Sequence, residues 1–255
     1  MEPYLVSCAT SLAGETVADI FDRLTRDGWV VIETPRDHDP DKALLDLQAI
    51  FGEVVFHPYS KAEGVVVVDN AYRPPRGMTP HTDGTYYPQP PAIMCLQCIS
   101  AATTGGASTL VDGAKVYDHL TRELPDHLPH LFETVMSVRR EDRIVQSPVF
   151  WRTGERVRIR FRIDETIKLE VADRAQRAVQ AIDRFINDTE NQVIFTLRPW
   201  QTLVVDNTRM LHGRTAYDVS EPRKMNRMHL DGKSPRGNLQ LGFLPSDAPP
   251  TGQPR

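Results

Sequence analysis

His81-Thr82-Asp83 follows a proline-rich loop and precedes Gly84-Thr85-Tyr86-Tyr87. In an extended chain, residues two apart project to one face, so this imidazole and this carboxylate can converge on a single ion. A third donor stands far along the chain. His212, in Asp206-Asn207-Thr208-Arg209-Met210-Leu211-His212-Gly213-Arg214, follows a β-branched run. Two histidines and one carboxylate make the facial set that leaves coordination positions open for non-haem Fe(II) oxygen chemistry. Taken singly, each has an ordinary explanation, because a His-x-Asp triplet arises by chance and a buried histidine often only satisfies a polar neighbour. The same ligands also bind zinc or manganese, so the donor set alone leaves the metal open.

Arg223-Lys224-Met225-Asn226-Arg227 comes shortly after His212. If extended, it puts Arg223, Met225 and Arg227 on one face and aims two guanidiniums at the cavity of the metal. A buried guanidinium needs an anion, and its fork of donors matches a carboxylate, as a dicarboxylate co-substrate chelated at its other end would require. In isolation, two surface arginines near a turn would be the plainer reading.

In order, His81-Thr82-Asp83, then Gly105-Gly106-Ala107-Ser108-Thr109-Leu110-Val111-Asp112-Gly113, then Asp206-Asn207 with His212-Gly213-Arg214, then Arg223 and Arg227, resemble the motifs of one family. It is the Fe(II)- and 2-oxoglutarate-dependent dioxygenases of the taurine dioxygenase type, which include γ-butyrobetaine hydroxylase, trimethyllysine hydroxylase and, more distantly, clavaminate synthase. The resemblance runs from about Val65 to Gly232, and Gly28-Trp29-Val30-Val31-Ile32 is similar as well. It implies a double-stranded β-helix, iron held by His81, Asp83 and His212, 2-oxoglutarate chelating the metal through its C1 carboxylate and keto oxygen, and O2 as the second co-substrate. Arg223 then partners the C5 carboxylate, helped by the hydroxyl after the Gly-Gly turn, either Ser108 or its neighbour Thr109. Arg227 matches a position that contacts the co-substrate or an anionic part of the prime substrate. A carboxylate at Asp83 disfavours halogenation, since the halogenases of this superfamily carry a small residue there. The interval from His81 to His212 is short for the group and implies a small or open lid.

The implied reaction is hydroxylation of an unactivated C–H bond, with desaturation, cyclisation or epoxidation open to the same residues, on a small polar metabolite that is amino-acid-like or anionic. The alternative from another class is a zinc- or manganese-dependent cupin-like hydrolase or isomerase using the same three ligands. Arg223 separates the two, because a non-oxidative enzyme has no need of a carboxylate clamp. Position alone nominates Tyr86, Tyr87, Asn70, Tyr72, Arg73 and His57 as substrate contacts, although a packed tyrosine or a solvated polar side chain accounts equally well for each.

The elements that must position these groups are mostly strands. Val17, Ile20, Phe21 and Leu24 predict a helix over about 14–26, Gly28 stops it, and Trp29 to Ile32 reads as a strand. A second helix is expected over Asp41 to Phe51, followed by a strand over Glu53 to Phe56. Further β-runs are Val65 to Val68, Ala92 to Ile99, Ser108 to Val111, Val157 to Ile163, Val193 to Leu197 and Thr202 to Val205, with helices near Lys115 to Leu124 and Asp173 to Asn187. Because strands outnumber helices without strictly alternating with them, the expected fold is mainly β with peripheral helices, a jelly-roll core. The expected organisation is one oxygenase domain over 1–244, with its core at about 65–232, an N-terminal α/β cap over 1–60 and a disordered proline-rich tail over 245–255.

Other features read as structural. Cys95 and Cys98 lie an odd number of residues apart in one β-run, so their sulfurs face opposite ways and both are expected in the core. His119, His127 and His130 read as solvated. Arg156, Arg158, Arg160 and Arg162 alternate with Val157, Ile159, Phe161 and Ile163, which predicts a half-buried strand with one wet face.

The 255 residues carry a net charge of −4, too balanced for a nucleic-acid or anionic-membrane footprint, and they hold no apolar run long enough to span a bilayer. Three cysteines cannot make a disulfide framework, and the start of the sequence lacks a signal-peptide pattern, so a reducing, cytoplasmic setting is expected.

Overall fold

The computed structural model describes residues 5–7, 15–33, 39–57, 64–69 and 76–246. The first half holds β1 (Leu5–Ser7), α1 (Glu15–Asp27), β2 (Trp29–Glu33), α2 (Pro40–Leu45), α3 (Gln48–Phe51), β3 (Val66–Val68), β4 (Met78–His81), β5 (Ile93–Ser100), β6 (Ser108–Asp112) and α4 (Gly113–Glu123). The second half holds β7 (Met136–Arg140), β8 (Arg143–Ser147), β9 (Phe150–Thr153), β10 (Arg156–Ile159), β11 (Lys168–Val171), α5 (Asp173–Asn187), β12 (Val193–Phe195), β13 (Gln201–Asp206), β14 (Met210–Arg214) and β15 (Lys224–Leu230). Strands dominate, as expected.

Two sheets carry the site. The larger runs β1-β2-β13-β5-β15-β3 and the smaller β12-β6-β14-β4. Apart from the parallel β1–β2 pair, their ladders are antiparallel. Period-two alternation sorts each strand between two apolar layers. Val30 and Ile32 of β2, Cys95 of β5 and Met228 of β15 pack with Ile20 and Leu24 of α1 and Phe51 of α3. Trp29, Val31, Met94, Cys98 and Met225 point the other way, into the space between the sheets, where they meet Leu110 of β6 and Met210 of β14. Beyond the smaller sheet, Val111 and Leu211 pack with Val116 and Leu120 of α4 and Ala178 and Ile182 of α5. The layers are therefore helices, large sheet, small sheet, helices, and the space between the sheets is the one that polar groups enter.

α1 stops at Gly28, whose φ of 78° suits a residue without a side chain. A Cβ there would lie 2.7 Å from the Met210 sulfur, so glycine lets the helix end against the sheet sandwich. The helix expected over 41–51 is broken into α2 and α3, because the Leu47 amide bonds back three residues to Leu44 and tightens the chain. The strand expected over 53–56 is reduced to a bridge between Val54 and Leu230. β3 already occupies that edge of β15 as far as Arg227, which leaves only the end of the strand exposed for pairing. β10 ends at Ile159, and Arg160 and Arg162 are buried, so the expected wet arginine face does not exist there. Cys95 and Cys98 do lie on opposite faces of β5, both buried as free thiols. Of the proline-rich tail, 247–255 lie outside the described residues, while the Ser246 hydroxyl donates to Asp118 at 2.6 Å. No helix among the described residues is long and apolar enough to cross a membrane.

Candidate active site

His81 closes β4, and β14 runs beside it so that His212 sits directly opposite in the ladder. Asp83 does not continue the strand. It lies in the turn that follows, and that turn swings its carboxylate back between the two imidazoles. His81 Nε2 lies 3.6 Å from Asp83 Oδ1 and His212 Nε2 lies 3.4 Å from Asp83 Oδ2. One donor atom from each of the three residues lies within 4.8 Å of the others, and all three side chains are buried.

The hydrogen bonds around this set decide what it can hold. His81 Nδ1 lies 2.8 Å from the Thr79 carbonyl, which can only accept, so the neutral ring carries its proton on Nδ1 and presents a bare lone pair at Nε2. Burial first of all, with Arg162 nearby, lowers the His81 pKa to about 4, so the ring is neutral at physiological pH. Burial would raise the Asp83 pKa, but Arg227 and His229 beside it hold the carboxyl well below its ordinary value. A lone pair facing a carboxylate oxygen is repulsive unless a cation lies between them. The residues present thus fit a divalent metal ion, with a neutral His81 imidazole and an ionised Asp83 carboxylate in the forms that metal ligation requires.

Several groups that sequence reasoning left unassigned hold this arrangement. Asn207, in the turn after β13, accepts the Asp83 amide at 2.7 Å and donates to the Asp83 carbonyl at 3.1 Å and the Pro91 carbonyl at 2.7 Å. The Thr82 hydroxyl accepts the Phe161 amide at 3.0 Å, and the Thr82 amide returns a bond to the Phe161 carbonyl at 2.9 Å. His229 Nε2 lies 2.8 Å from Asp83 Oδ2, and Arg227 Nη1 donates to that oxygen at 3.3 Å. Arg162 reaches within 3.9 Å of Asp83 Oδ1 and is itself paired with Asp164 at 2.6 Å. His229 stands two residues from Arg227 on β15, so continuing the alternation of Arg223, Met225 and Arg227 by one step would have found it.

Between the sheets, a cavity is lined by His212, Ser108, Arg214, Arg223 and Arg227, with Met78, Met94, Leu96 and Leu203 among its apolar walls. The structure thus brings Arg223 and Arg227 into one cavity with His212. Arg223 is buried, its Nε donates to the Gly106 carbonyl at 3.3 Å, and its guanidinium lies 5.5 Å from the Tyr217 ring centre. Ser108 opens onto this cavity, on the same face of β6 as Leu110. Thr109 points to the other face, where a Cβ on Gly213 would lie 2.7 Å from its hydroxyl.

On the other side of Asp83, the Tyr86 hydroxyl lies 3.3 Å from His57 Nε2, and the Tyr86 and Tyr87 rings lie 4.7 Å apart. The His57 and His229 rings are 6.4 Å apart, which links this group to the carboxylate. Asn70, Tyr72 and Arg73 lie outside the described residues.

Fold and site together define a double-stranded β-helix protein in which two histidines and one carboxylate form a candidate metal site beside a cavity that also holds a buried arginine. The chain belongs to the family described as taurine catabolism dioxygenase TauD, TfdA family, which matches residues 6–229. It is 30% identical over 169 residues to the human gamma-butyrobetaine dioxygenase, an alignment that covers 60% of this chain and 42% of that protein, so the chain spans less than half the length of this curated relative. Among solved structures it is similar to asparagine oxygenase in complex with Fe(II), 2S,3S-3-hydroxyasparagine and succinate, with TM-score 0.67, 17% identity, and coverage of 86% of this chain and 79% of that one. PvcB, an Fe, alpha-ketoglutarate dependent oxygenase from an isonitrile synthetic pathway, is also similar, with TM-score 0.63, 17% identity, and coverage of 84% and 79%. At those identities the structural likenesses establish the fold.

Proposed function

We propose that this protein is a non-haem iron oxygenase that couples oxidative decarboxylation of 2-oxoglutarate to hydroxylation, desaturation or cyclisation of a small polar metabolite. The carrying observation is that His212, one of three convergent ligands, shares a single cavity with the buried Arg223. The family membership, the dioxygenase relative and the Fe-containing oxygenases of the same fold support the reading. Nothing in those relationships favours the zinc or manganese hydrolase or isomerase.

Iron and 2-oxoglutarate, when bound, supply O2 activation and the oxidising equivalent. The chain supplies the geometry. His81, Asp83 and His212 would hold the metal, and His212 would bring it beside the cavity that Arg223 also lines. Arg223 binds the far carboxylate of 2-oxoglutarate, assisted by the Ser108 hydroxyl, and so fixes which end of the co-substrate reaches the metal. Met94, Leu96 and Leu203 keep water from that passage. The 1–244 unit acts as a single oxygenase domain, and the free buried thiols suit a reducing, cytoplasmic compartment.

Anaerobic titration of metal-free protein with Fe(II) and then 2-oxoglutarate tests this. A weak visible charge-transfer band is expected only when both are present, and neither Asp83→Ala nor Arg223→Ala should give it. Tight zinc binding with no such band would favour the non-oxidative alternative instead.

A further inference from the structure

Thr215, Ala216 and Tyr217 run along the Gly105-Gly106 turn and are fastened to it. The Thr215 amide donates to the Ala107 carbonyl at 2.9 Å, the Thr215 hydroxyl accepts the Ala107 amide at 3.0 Å, and the Gly106 amide donates to the Ala216 carbonyl at 3.1 Å. Tyr217 itself forms a bridge with Gly105, and its side chain is buried. The backbone therefore fixes where this ring stands.

Two guanidiniums share the Tyr217 ring, Arg214 at 4.8 Å and Arg223 at 5.5 Å from its centre, and both arginines line the cavity that holds His212. Like charges that meet at one ring must be held against their repulsion. Arg214 is fastened by a bond from Nη2 to the Arg76 carbonyl at 2.6 Å, and Arg223 by a bond from Nε to the Gly106 carbonyl at 3.3 Å. Gly106 permits that approach, since a Cβ there would lie 3.0 Å from Arg223 Cδ. The bond occupies the Nε edge of Arg223, which leaves the two Nη groups to meet a carboxylate. One bond at that length still lets the guanidinium swing about its Nε. The ring face supplies a second constraint. Burial lowers the Arg223 pKa from its ordinary value, and the same exclusion of water strengthens the attraction between a cation and an aromatic face.

We propose that Tyr217 is a positioning residue whose ring holds the Arg223 guanidinium with its Nη groups toward the cavity, and thereby sets how strongly the protein prefers a 2-oxo acid with a second carboxylate over one without. The proposal rests on the oxygenase reading above and deepens it. Because the ring acts through Arg223, its loss should weaken the hold on the far carboxylate and leave chelation at the metal as it was.

The test loads the whole chain anaerobically with Fe(II) and titrates it with 2-oxoglutarate or with 2-oxopentanoate, which carries a methyl group in place of the far carboxylate. The charge-transfer band reports binding of either acid. Tyr217→Leu should raise the 2-oxoglutarate concentration at half-maximal absorbance by about five- to thirtyfold. The concentration needed for 2-oxopentanoate, and the affinity for Mn(II) measured separately, should not change. Tyr217→Phe, which keeps the ring, should restore most of the loss. Tyr217→Met is a second ringless variant, read alone if Tyr217→Leu does not fold by circular dichroism. A wild type that forms no band with 2-oxoglutarate sinks the oxygenase reading and this proposal with it. A wild type that forms the band, beside ringless variants that need no more 2-oxoglutarate or that lose Mn(II) affinity or 2-oxopentanoate in equal measure, overturns the role of Tyr217 alone. So does a Tyr217→Phe protein as weak as the ringless ones.

Discussion

Asn207 grips the peptide of Asp83 from both ends, accepting its amide at 2.7 Å and donating to its carbonyl at 3.1 Å. These bonds tie the turn that carries the carboxylate ligand to the loop that leads into β14 and His212. Asn207→Ala would leave a buried amide and carbonyl unpaired and free the Asp83 turn. Partners that orient metal ligands typically account for about ten- to a hundredfold in metal affinity. The variant should therefore bind Fe(II) or Mn(II) more weakly by that order, read by anaerobic titration, while remaining folded by circular dichroism. Unchanged metal affinity would show that the turn holds its shape without Asn207.

The two hydroxyls after the Gly105-Gly106 turn separate by strand face. Ser108 opens into the cavity that holds Arg223, whereas Thr109 pairs with Gly213 on the face away from it. Ser108→Ala should raise the 2-oxoglutarate concentration needed for half-maximal charge-transfer absorbance by about ten- to a hundredfold, the worth of one hydrogen bond to a charged group. Thr109→Val should leave that concentration alone. The reverse pattern would move the co-substrate hydroxyl one residue along the chain.

Arg209 ties the same region to the helical layers. It makes a paired contact with Asp112, Nε to Oδ1 at 3.0 Å and Nη2 to Oδ2 at 2.7 Å, and a third bond to the Thr25 carbonyl at the end of α1. Because the Asp112 side chain also caps α4, removing the guanidinium strands a carboxylate at a helix start. Arg209→Ala should destabilise the fold by about 3 kcal/mol, seen as a lower urea midpoint. A loss below about 1 kcal/mol would mean that solvent replaces the pair.

How much of this was visible in the residues depended on whether partners were local. The convergence of His81, Asp83 and His212 was legible because metal-ligand types are few, although it is the turn after β4, and not strand alternation, that brings Asp83 to the two histidines. Asp173–Asn187 matches its expected helix because its apolar stripe repeats at helical spacing. β4 and β15 were missed as strands because Met78-Thr79-Pro80-His81 and Lys224 to Leu230 carry polar and charged groups that face a cavity, which erases the period-two signal. Arg162 read as wet because the strand pattern was carried past Ile159, where β10 ends, and because Asp83 becomes its neighbour only when the chain folds; its other partner, Asp164, stands two residues along the chain.

The last prediction concerns acid. Burial, then the positive charges of Arg227, His229 and Arg140, outweighs the pull of Asp83 and lowers the His57 pKa from 6.5 to about 3, while its Nε2 contacts the Tyr86 hydroxyl. In the unfolded chain the ring takes up a proton near pH 6.5, but the folded protein resists protonation down to about 3. The unfolded state therefore binds more protons throughout that window, and stability that is fully present above pH 6.5 is lost as the pH falls, at no more than about 1.4 kcal/mol per pH unit from this one group. Urea midpoints of metal-free protein should fall between pH 7 and pH 4.5, and His57→Gln should make that slope shallower. An equal slope in the two proteins would mean that His57 takes up its proton in the folded state as readily as in the unfolded one, and that the acid sensitivity originates elsewhere.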